Sequence, residues 1–306
     1  MTVDVSVVIV NYNTRAMTLQ ALESVFTSET VCSYEVILVD NASSDDSVGS
    51  VRSVFPNVLI IENRTNVGFA TANNQGIRIS SGRYVLLLNS DTRLEIDTMQ
   101  SMVAFMDEQP MAGVSGCKVL LPDGRLDAAC KRGFPTPLTS LFYVSGVARL
   151  FPRSAVLNRY HMGHLSADDT SPVDAVVGAF MLVRRNVIDQ VGLLDEEFFM
   201  YGEDIDWCYR IKQAGWQVYY YPRAQIMHYK GGSSPRRPPW LVREFYRAML
   251  LFYKKHYQHV YNPIVSIAVN AGIGLAMSLA LVRNSVRRAR VIGASGGISE
   301  ARDPSR

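Results

Sequence analysis

The chain has 306 residues, 48% of them hydrophobic and 19% charged, a globular balance that excludes a disordered protein and is long enough to bury one large core or two smaller ones. The net charge of +3 conceals an asymmetry: residues 236–306 hold twelve Lys/Arg against three Asp/Glu, a balance of +9, which leaves −6 for residues 1–235. A basic stretch that also contains apolar runs points to an anionic membrane surface and away from nucleic acid. Cys32, Cys117, Cys130 and Cys208 are far apart with no C-x-x-C pair, a pattern of reduced thiols that argues against a zinc site. Met1-Thr2-Val3-Asp4 leads straight into a strand-like run with no basic leader, so cytoplasmic residence is expected.

Val5 to Val10 is an apolar, β-branched strand that stops at Asn11-Tyr12-Asn13-Thr14. Thr14 is a helix cap by type, and Leu19, Leu22 and Phe26 follow at helical spacing. Glu35 to Val39 predicts a second strand, ending in Asp40-Asn41-Ala42-Ser43-Ser44-Asp45, where Ser44 is expected to cap the next helix. Val58 to Ile61 predicts a third strand. Asn66-Val67-Gly68-Phe69-Ala70 then opens a helix containing Asn73, Asn74 and Gly76.

The next run, Tyr84 to Leu88, reads as a strand buried on both faces. It ends at Asn89-Ser90-Asp91, which sets a carboxylate where a parallel sheet opens and where a divalent cation and a diphosphate could meet. Four strands alternating with helices in ninety residues predict a doubly wound, mainly parallel sheet with helices on both faces.

After Asp91 the pattern changes. A helix is predicted from about Ile96 to Asp107, then a hairpin from Gly113 to Leu121 turning at Pro122-Asp123-Gly124. Residues 131–172 read as irregular and acceptor-facing. A single strand is expected from Val173 to Arg184, including Gly178 and Ala179. Ile205, Cys208, Tyr209 and Lys212 sit at helical spacing, so Glu203 and Asp204 fall at a helix start, with Asp206 and Trp207 just inside. Val218 to Tyr221 predicts a further strand, His228 follows it, and Gly231-Gly232-Ser233-Ser234 could cradle a phosphate.

Two helical segments close the chain. Trp240 to Tyr257 is rich in aromatics. Ile264 to Val282 is nineteen residues without a charge, bounded by Lys254 and Lys255 before it and by Arg283, Arg287, Arg288 and Arg290 after it. Its small polar residues favour a helix lying in a membrane interface or packing in a homo-oligomer over a span. The expected organisation is a catalytic unit over 1–235, a membrane-associating or oligomerising helical region over 236–291 and a disordered tail over 292–306.

Six motifs occur in one order: Val7 to Asn13, Val39 to Asp45, Asn66 to Ala70, Asn89 to Asp91, Gly202-Glu203-Asp204, and His228. The set resembles the family 2 inverting glycosyltransferases with the Rossmann-like GT-A fold, and within them the rhamnosyltransferase-like branch. The resemblance covers residues 4–235. It implies that Asn11, Asn13, Asp40, Asn66, Gly68, Asn89 and Ser90 line the nucleotide-sugar pocket. It implies that Asp91 and His228 hold Mg2+ or Mn2+, with Asn89 standing where the family usually has a first Asp. Asp204 is the implied base with Glu203 beside it, Asp206 is the other candidate, and Gly178, Ala179, Asp206 and Trp207 fall on the acceptor side.

The implied reaction moves a sugar, best taken as L-rhamnose from dTDP-rhamnose, onto a lipid-linked or polysaccharide acceptor at the inner face of the cell membrane. A UDP-hexose donor and a non-catalytic glycan-binding scaffold are the alternatives. A hydride-transferring dinucleotide enzyme is disfavoured because G-x-G-x-x-G is missing from the turn after the first strand.

Overall fold

The computed structural model describes residues 3–229 and 238–295. The chain divides into two units, Met1–Pro235 and Arg236–Arg306. The first contains β1 (Val5–Asn11), α1 (Arg15–Phe26), β2 (Tyr34–Asp40), α2 (Ser47–Val54), β3 (Leu59–Glu62), α3 (Phe69–Ile79), β4 (Tyr84–Asn89), β5 (Thr92–Leu94), α4 (Thr98–Glu108), β6 (Ala112–Leu120), α5 (Pro137–Val144), α6 (Val147–Leu150), β7 (Ser171–Val173), β8 (Phe180–Arg184), α7 (Arg185–Val191), α8 (Glu203–Gln213) and β9 (Gln217–His228). A 3-10 turn at Ala128–Cys130 lies between β6 and α5.

Among the described residues nine strands form one sheet in the order β3-β2-β1-β4-β8-β6-β9-β5, with β7 also on β9. The half built from residues 5–89 is parallel throughout. Strands β1, β2 and β4 are apolar and buried along most of their length, as expected where both faces are covered, whereas the edge strand β3 is partly exposed. The other half is mixed: β8 runs antiparallel to β4 and β6, β9 parallels β6, and β5 and β7 oppose β9. The sheet is therefore mixed, where the sequence predicts a mainly parallel one. The βα alternation behind that expectation ends at β4, and antiparallel strands with long connections leave no comparable signal.

Several local expectations change for physical reasons. The strand expected over Val173–Arg184 is two strands, β7 and β8, because the chain leaves the sheet between them and Gly178 donates its N–H to Asp204. His228 is the last residue of β9, opposite Thr92 of β5, and does not follow a shorter strand. The hairpin after β6 closes through a single bridge, Leu120 to Leu126. Residues 131–172 contain α5 and α6, the first capped by the Thr136 side chain. Ser44 does not cap α2, whose N-cap is Asp46 in a left-handed conformation.

The described residues of the second unit form α9 (Pro239–His256) and α10 (Pro263–Ser295), joined by a 2.9 Å contact between the Tyr253 and Ser266 hydroxyls. Within α10, Pro263–Ser285 is long and apolar enough to cross a membrane, with a mean hydropathy of 2.0 and none of that window buried. The helix continues to Ser295, past the boundary expected at 291. The Gly231–Ser234 loop and the rest of the expected tail, 296–306, lie outside the described residues.

Gly76 sets how closely α3 seats on the sheet, since a Cβ there would overlap the Val8 side chain and touch Val39. A larger residue would have to push the helix off β1 and β2. Gly76→Val is expected to cost about 1–3 kcal/mol, read from the urea midpoint at unchanged slope.

Candidate active site

The parallel register brings the predicted residues to one edge. Asn11 pairs in register with Asp40, Asp40 with Glu62, and Val10 with Asn89, so the four strands of this half end side by side. Ligands of α/β sheets bind beyond such carboxyl ends.

Asn11 is fully buried and its side chain is committed. The amide donates to Asp40 Oδ1 at 2.7 Å and to Ser43 Oγ at 3.0 Å, while Oδ1 accepts from Thr14 at 2.7 Å and Thr18 at 2.8 Å. That fills the hydrogen-bonding capacity of an asparagine, so Asn11 orients Asp40 from beneath. Asp40 Oδ2 accepts from the Ser43 N–H. Asn13, at φ +54, accepts from the Ser44 N–H through its side chain. Thr14 does not cap α1 with its side chain; its hydroxyl meets Ser90 Oγ at 2.9 Å and ties the first strand turn to the fourth.

Asn66 and Gly68 are organised by a residue the sequence reading passed over. Buried Asn41 donates to Asn66 Oδ1 and the Gly68 carbonyl and accepts from the Asn63 side chain and the Val67 N–H. Gly68 has φ +89, and a Cβ there would sit 2.7 Å from the Phe199 carbonyl. The Phe69 N–H donates to that carbonyl, fastening this loop to the segment that leads into α8.

Asp91 follows β4 and precedes β5. Its Oδ1 lies 3.1 Å from His228 Nε2, and its carbonyl accepts from the Tyr229 N–H. The other ring nitrogen of His228 is 3.8 Å from Asp127 Oδ2. Asn89 Oδ1 is buried without a hydrogen-bond partner among the described residues. The paired carboxylate oxygen and imidazole nitrogen are donor types that fit a divalent cation taking its remaining ligands from substrate phosphates. Among the described residues no cluster of three or more His, Cys, Asp or Glu forms a self-sufficient metal cage.

The second group lies where α8 begins, after Tyr201 at φ +72 and Gly202 at φ +84. Asp204 is buried. Its Oδ2 accepts from Arg132 at 2.7 Å and from the Gly178 N–H at 3.0 Å, and Oδ1 accepts from the Ile205 N–H at 2.7 Å. A carboxylate has about four acceptor positions, so one position on Oδ1 is left for a proton. Ala179 accepts from the Asn89 N–H, joining the end of β4 to the loop that holds Asp204. Glu203 is buried and its Oε2 has no partner among the described residues. Burial, and then the charge of Asp204, push its carboxyl up to about 8, so Glu203 is protonated at neutral pH.

Two expected members stand elsewhere. Asp206 is fully buried and binds Arg210 at 2.8 Å, and Arg210 in turn holds the Val191 and Leu193 carbonyls. Trp207 is wholly buried with its indole N–H on the Gly192 carbonyl. Both side chains are enclosed by protein and their polar atoms are taken up by Arg210 and the Gly192 carbonyl. Sequence reading also missed Arg132 and Asp127. The only local signal was a Lys-Arg pair before Gly133 in an otherwise apolar stretch. A cleft of about 400 Å³ beside Tyr84, Arg184 and Arg185 lies at the opposite end of β4 and includes none of these groups.

A half-parallel, half-mixed sheet with an acidic site at its carboxyl edge defines the GT-A class of sugar-transferring enzymes. The chain belongs to glycosyl transferase family 2, whose model matches residues 6–192. It is 26% identical over 266 residues to N-acetylglucosaminyl-diphospho-decaprenol L-rhamnosyltransferase of Mycobacterium tuberculosis, a match covering 83% of this chain and 85% of that one. It is 28% identical to rhamnosyltransferase WbbL of Escherichia coli over 53% of this chain and 61% of that one. The fold is shared with S. aureus TarS 1–349 (TM-score 0.54, 17% identity, 82% of this chain and 64% of that one). It is also shared with GalNAc-T7 crystallised with UDP, GalNAc and Mn2+ (TM-score 0.56, 16% identity, 81% of this chain and 48% of that one). The chain thus spans less than two thirds of either solved chain.

Two measurements check this electrostatic arrangement. Arg132→Met strands the Asp204 charge and is expected to cost about 3–5 kcal/mol; adding Asp204→Asn should recover much of that in a urea double-mutant cycle. Unfolded Glu203 loses its proton near 4.5 and folded Glu203 near 8, so the group lowers stability progressively as pH rises between those values. Glu203→Gln should therefore gain melting temperature over the parent as pH rises across about 5 to 8. A difference that stays flat would mean Glu203 is ionised in the fold.

Proposed function

We propose that this glycosyltransferase is metal-dependent and inverting, and that it transfers L-rhamnose from dTDP-rhamnose to a lipid-linked or polysaccharide acceptor during surface-glycan synthesis. The observation that carries the reading is the 3.1 Å pairing of Asp91 and His228 where the sheet ends, with Asp204 held by Arg132 in the same unit. The rhamnose donor is supported by the two relatives named as rhamnosyltransferases, and the lipid-linked acceptor by the name of the mycobacterial one.

Asp91 and His228, with Asn89 beside them, would hold Mg2+ or Mn2+, which stabilises negative charge on a leaving diphosphate. Asp204 is the base: it takes the proton of the acceptor hydroxyl as that oxygen bonds to the anomeric carbon and the bond from that carbon to the diphosphate oxygen breaks. A single displacement of this kind inverts the anomeric centre. Arg132 and the Gly178 N–H both donate to the Asp204 carboxylate and fix its orientation. Protonated Glu203 adds no second charge beside it. The apolar α10 fits contact with the inner face of the membrane.

A thermal-shift panel of nucleoside diphosphates, each with and without Mg2+ or Mn2+, tests the donor site. Metal-dependent stabilisation by dTDP, lost in Asp91→Ala, is the expected result; stabilisation by UDP alone would move the donor to a UDP-hexose. In transfer assays Asp204→Asn should lower turnover about 10²–10⁴-fold with nucleotide binding intact. Undiminished transfer would remove Asp204 from the base role.

A further inference from the structure

Among the described residues, the first unit exposes a run of large apolar side chains on and after α5 and α6. Leu138, Leu141 and Val144 on α5, and Leu150, Phe151 and Val156 on and after α6, are all more than half exposed. Soluble proteins rarely leave so many large apolar side chains together without a partner. The charge around them is one-sided. From Ala128 to Ala167 there is no Asp or Glu, while Lys131, Arg132, Arg149, Arg153 and Arg159 are cationic. Lys131 and Arg132 are buried, and Arg159 lies near Asp174 at 3.5 Å. Arg149 and Arg153 are exposed and make no ion pair among the described residues.

This face is mechanically joined to the site. The Tyr143 ring of α5 sits 5.0 Å from Tyr160 and 5.3 Å from His161. The Tyr160 carbonyl accepts from the Gly133 N–H, and the preceding residue is Arg132, which holds Asp204.

We propose that the α5–α6 face is a membrane-docking surface that lies in the headgroup layer of an anionic bilayer. Apolar side chains beside two exposed arginines that make no ion pair among the described residues match that layer, which offers acyl chains below and phosphates around. A second copy of this chain fits less well, since it would set Arg149 and Arg153 beside their own like charges. The docked face brings Arg132 and Asp204 to the depth of a lipid-borne diphosphate sugar. It rests on the lipid-linked acceptor proposed above, and it makes the catalytic unit itself, and not only α10, a membrane contact.

The test uses the full chain with Cys32→Ser, which leaves Cys117, Cys130 and Cys208 buried, and Leu150→Cys carrying an environment-sensitive fluorophore. Vesicles of phosphatidylcholine with phosphatidylglycerol should shift the emission to the blue and brighten it, and pure phosphatidylcholine should do so far less. Arg149→Gln with Arg153→Gln should weaken that response roughly 20–30-fold, about 5-fold for each charge, at unchanged melting temperature. A label that stays unchanged while the chain sediments with the vesicles would assign docking to another segment and overturn the proposal. So would a label that responds to protein concentration without lipid, which would assign the face to a second copy. The dTDP melting shift needs no membrane, so failure of the donor site and failure of this surface are separate outcomes.

Discussion

A buried carboxylate is tolerated only where donors surround it, and Asp204 meets that requirement with groups from three distant stretches of chain. Arg132 comes from the connection after β6, the Gly178 N–H from the loop before β8, and the carboxylate from the first turn of α8. Arg132 also donates to the Val176 carbonyl at 2.6 Å, so the guanidinium spans the same loop that supplies Gly178. Removing any of the three leaves a polar group in a dry place, the costly case for buried ion pairs. The loop over 174–179 cannot continue the sheet while it serves Asp204, which is why β7 and β8 are separate strands.

The two halves of the sheet divide the work. Residues 5–89 build the parallel half, and its strand ends present asparagines and an aspartate already fixed by neighbouring side chains. Asn11 and Asn41 have their hydrogen bonds filled by protein. They act as braces that fix Asp40, Asn66 and Gly68 at the ends of the strands. The mixed half supplies the groups that hold His228 and Asp204. The stretch from Asp127 to Arg132 reaches both, with Asp127 beside His228 and Arg132 on Asp204.

Much of the parallel half was legible in the sequence because its physics is local. A strand buried on both faces must be apolar along its whole length, and Tyr84–Leu88 ending at Asn89-Ser90-Asp91 reveals both strand and site edge. The same locality explains Glu203 and Asp204 at a helix start. What was illegible depends on distant pairing. The three-residue β5 and β7 are too short for periodicity to register, and the gap between β7 and β8 follows from a hydrogen bond to a residue 26 positions away. Arg132 looks like any surface cation until the fold buries it. Asp206 and Asp204 are equivalent as residue types at a helix start, and only the helix's inner face, with Arg210 on it, separates them.

The sheet order also bears on how the chain emerges from the ribosome. β3, β2, β1 and β4 are contiguous in sequence and can pair as soon as residue 89 is available. β4 then stands at an open edge, because its other neighbour, β8, does not begin until Phe180. At bacterial or eukaryotic synthesis rates of about 5–20 residues per second, that edge waits roughly 5–20 s for its partner. Val85-Leu86-Leu87-Leu88, with no charge to blunt it, is an aggregation-prone strand during that interval. The strand that ends at Asn89-Ser90-Asp91 is thus the one most in need of shielding while the protein is being made.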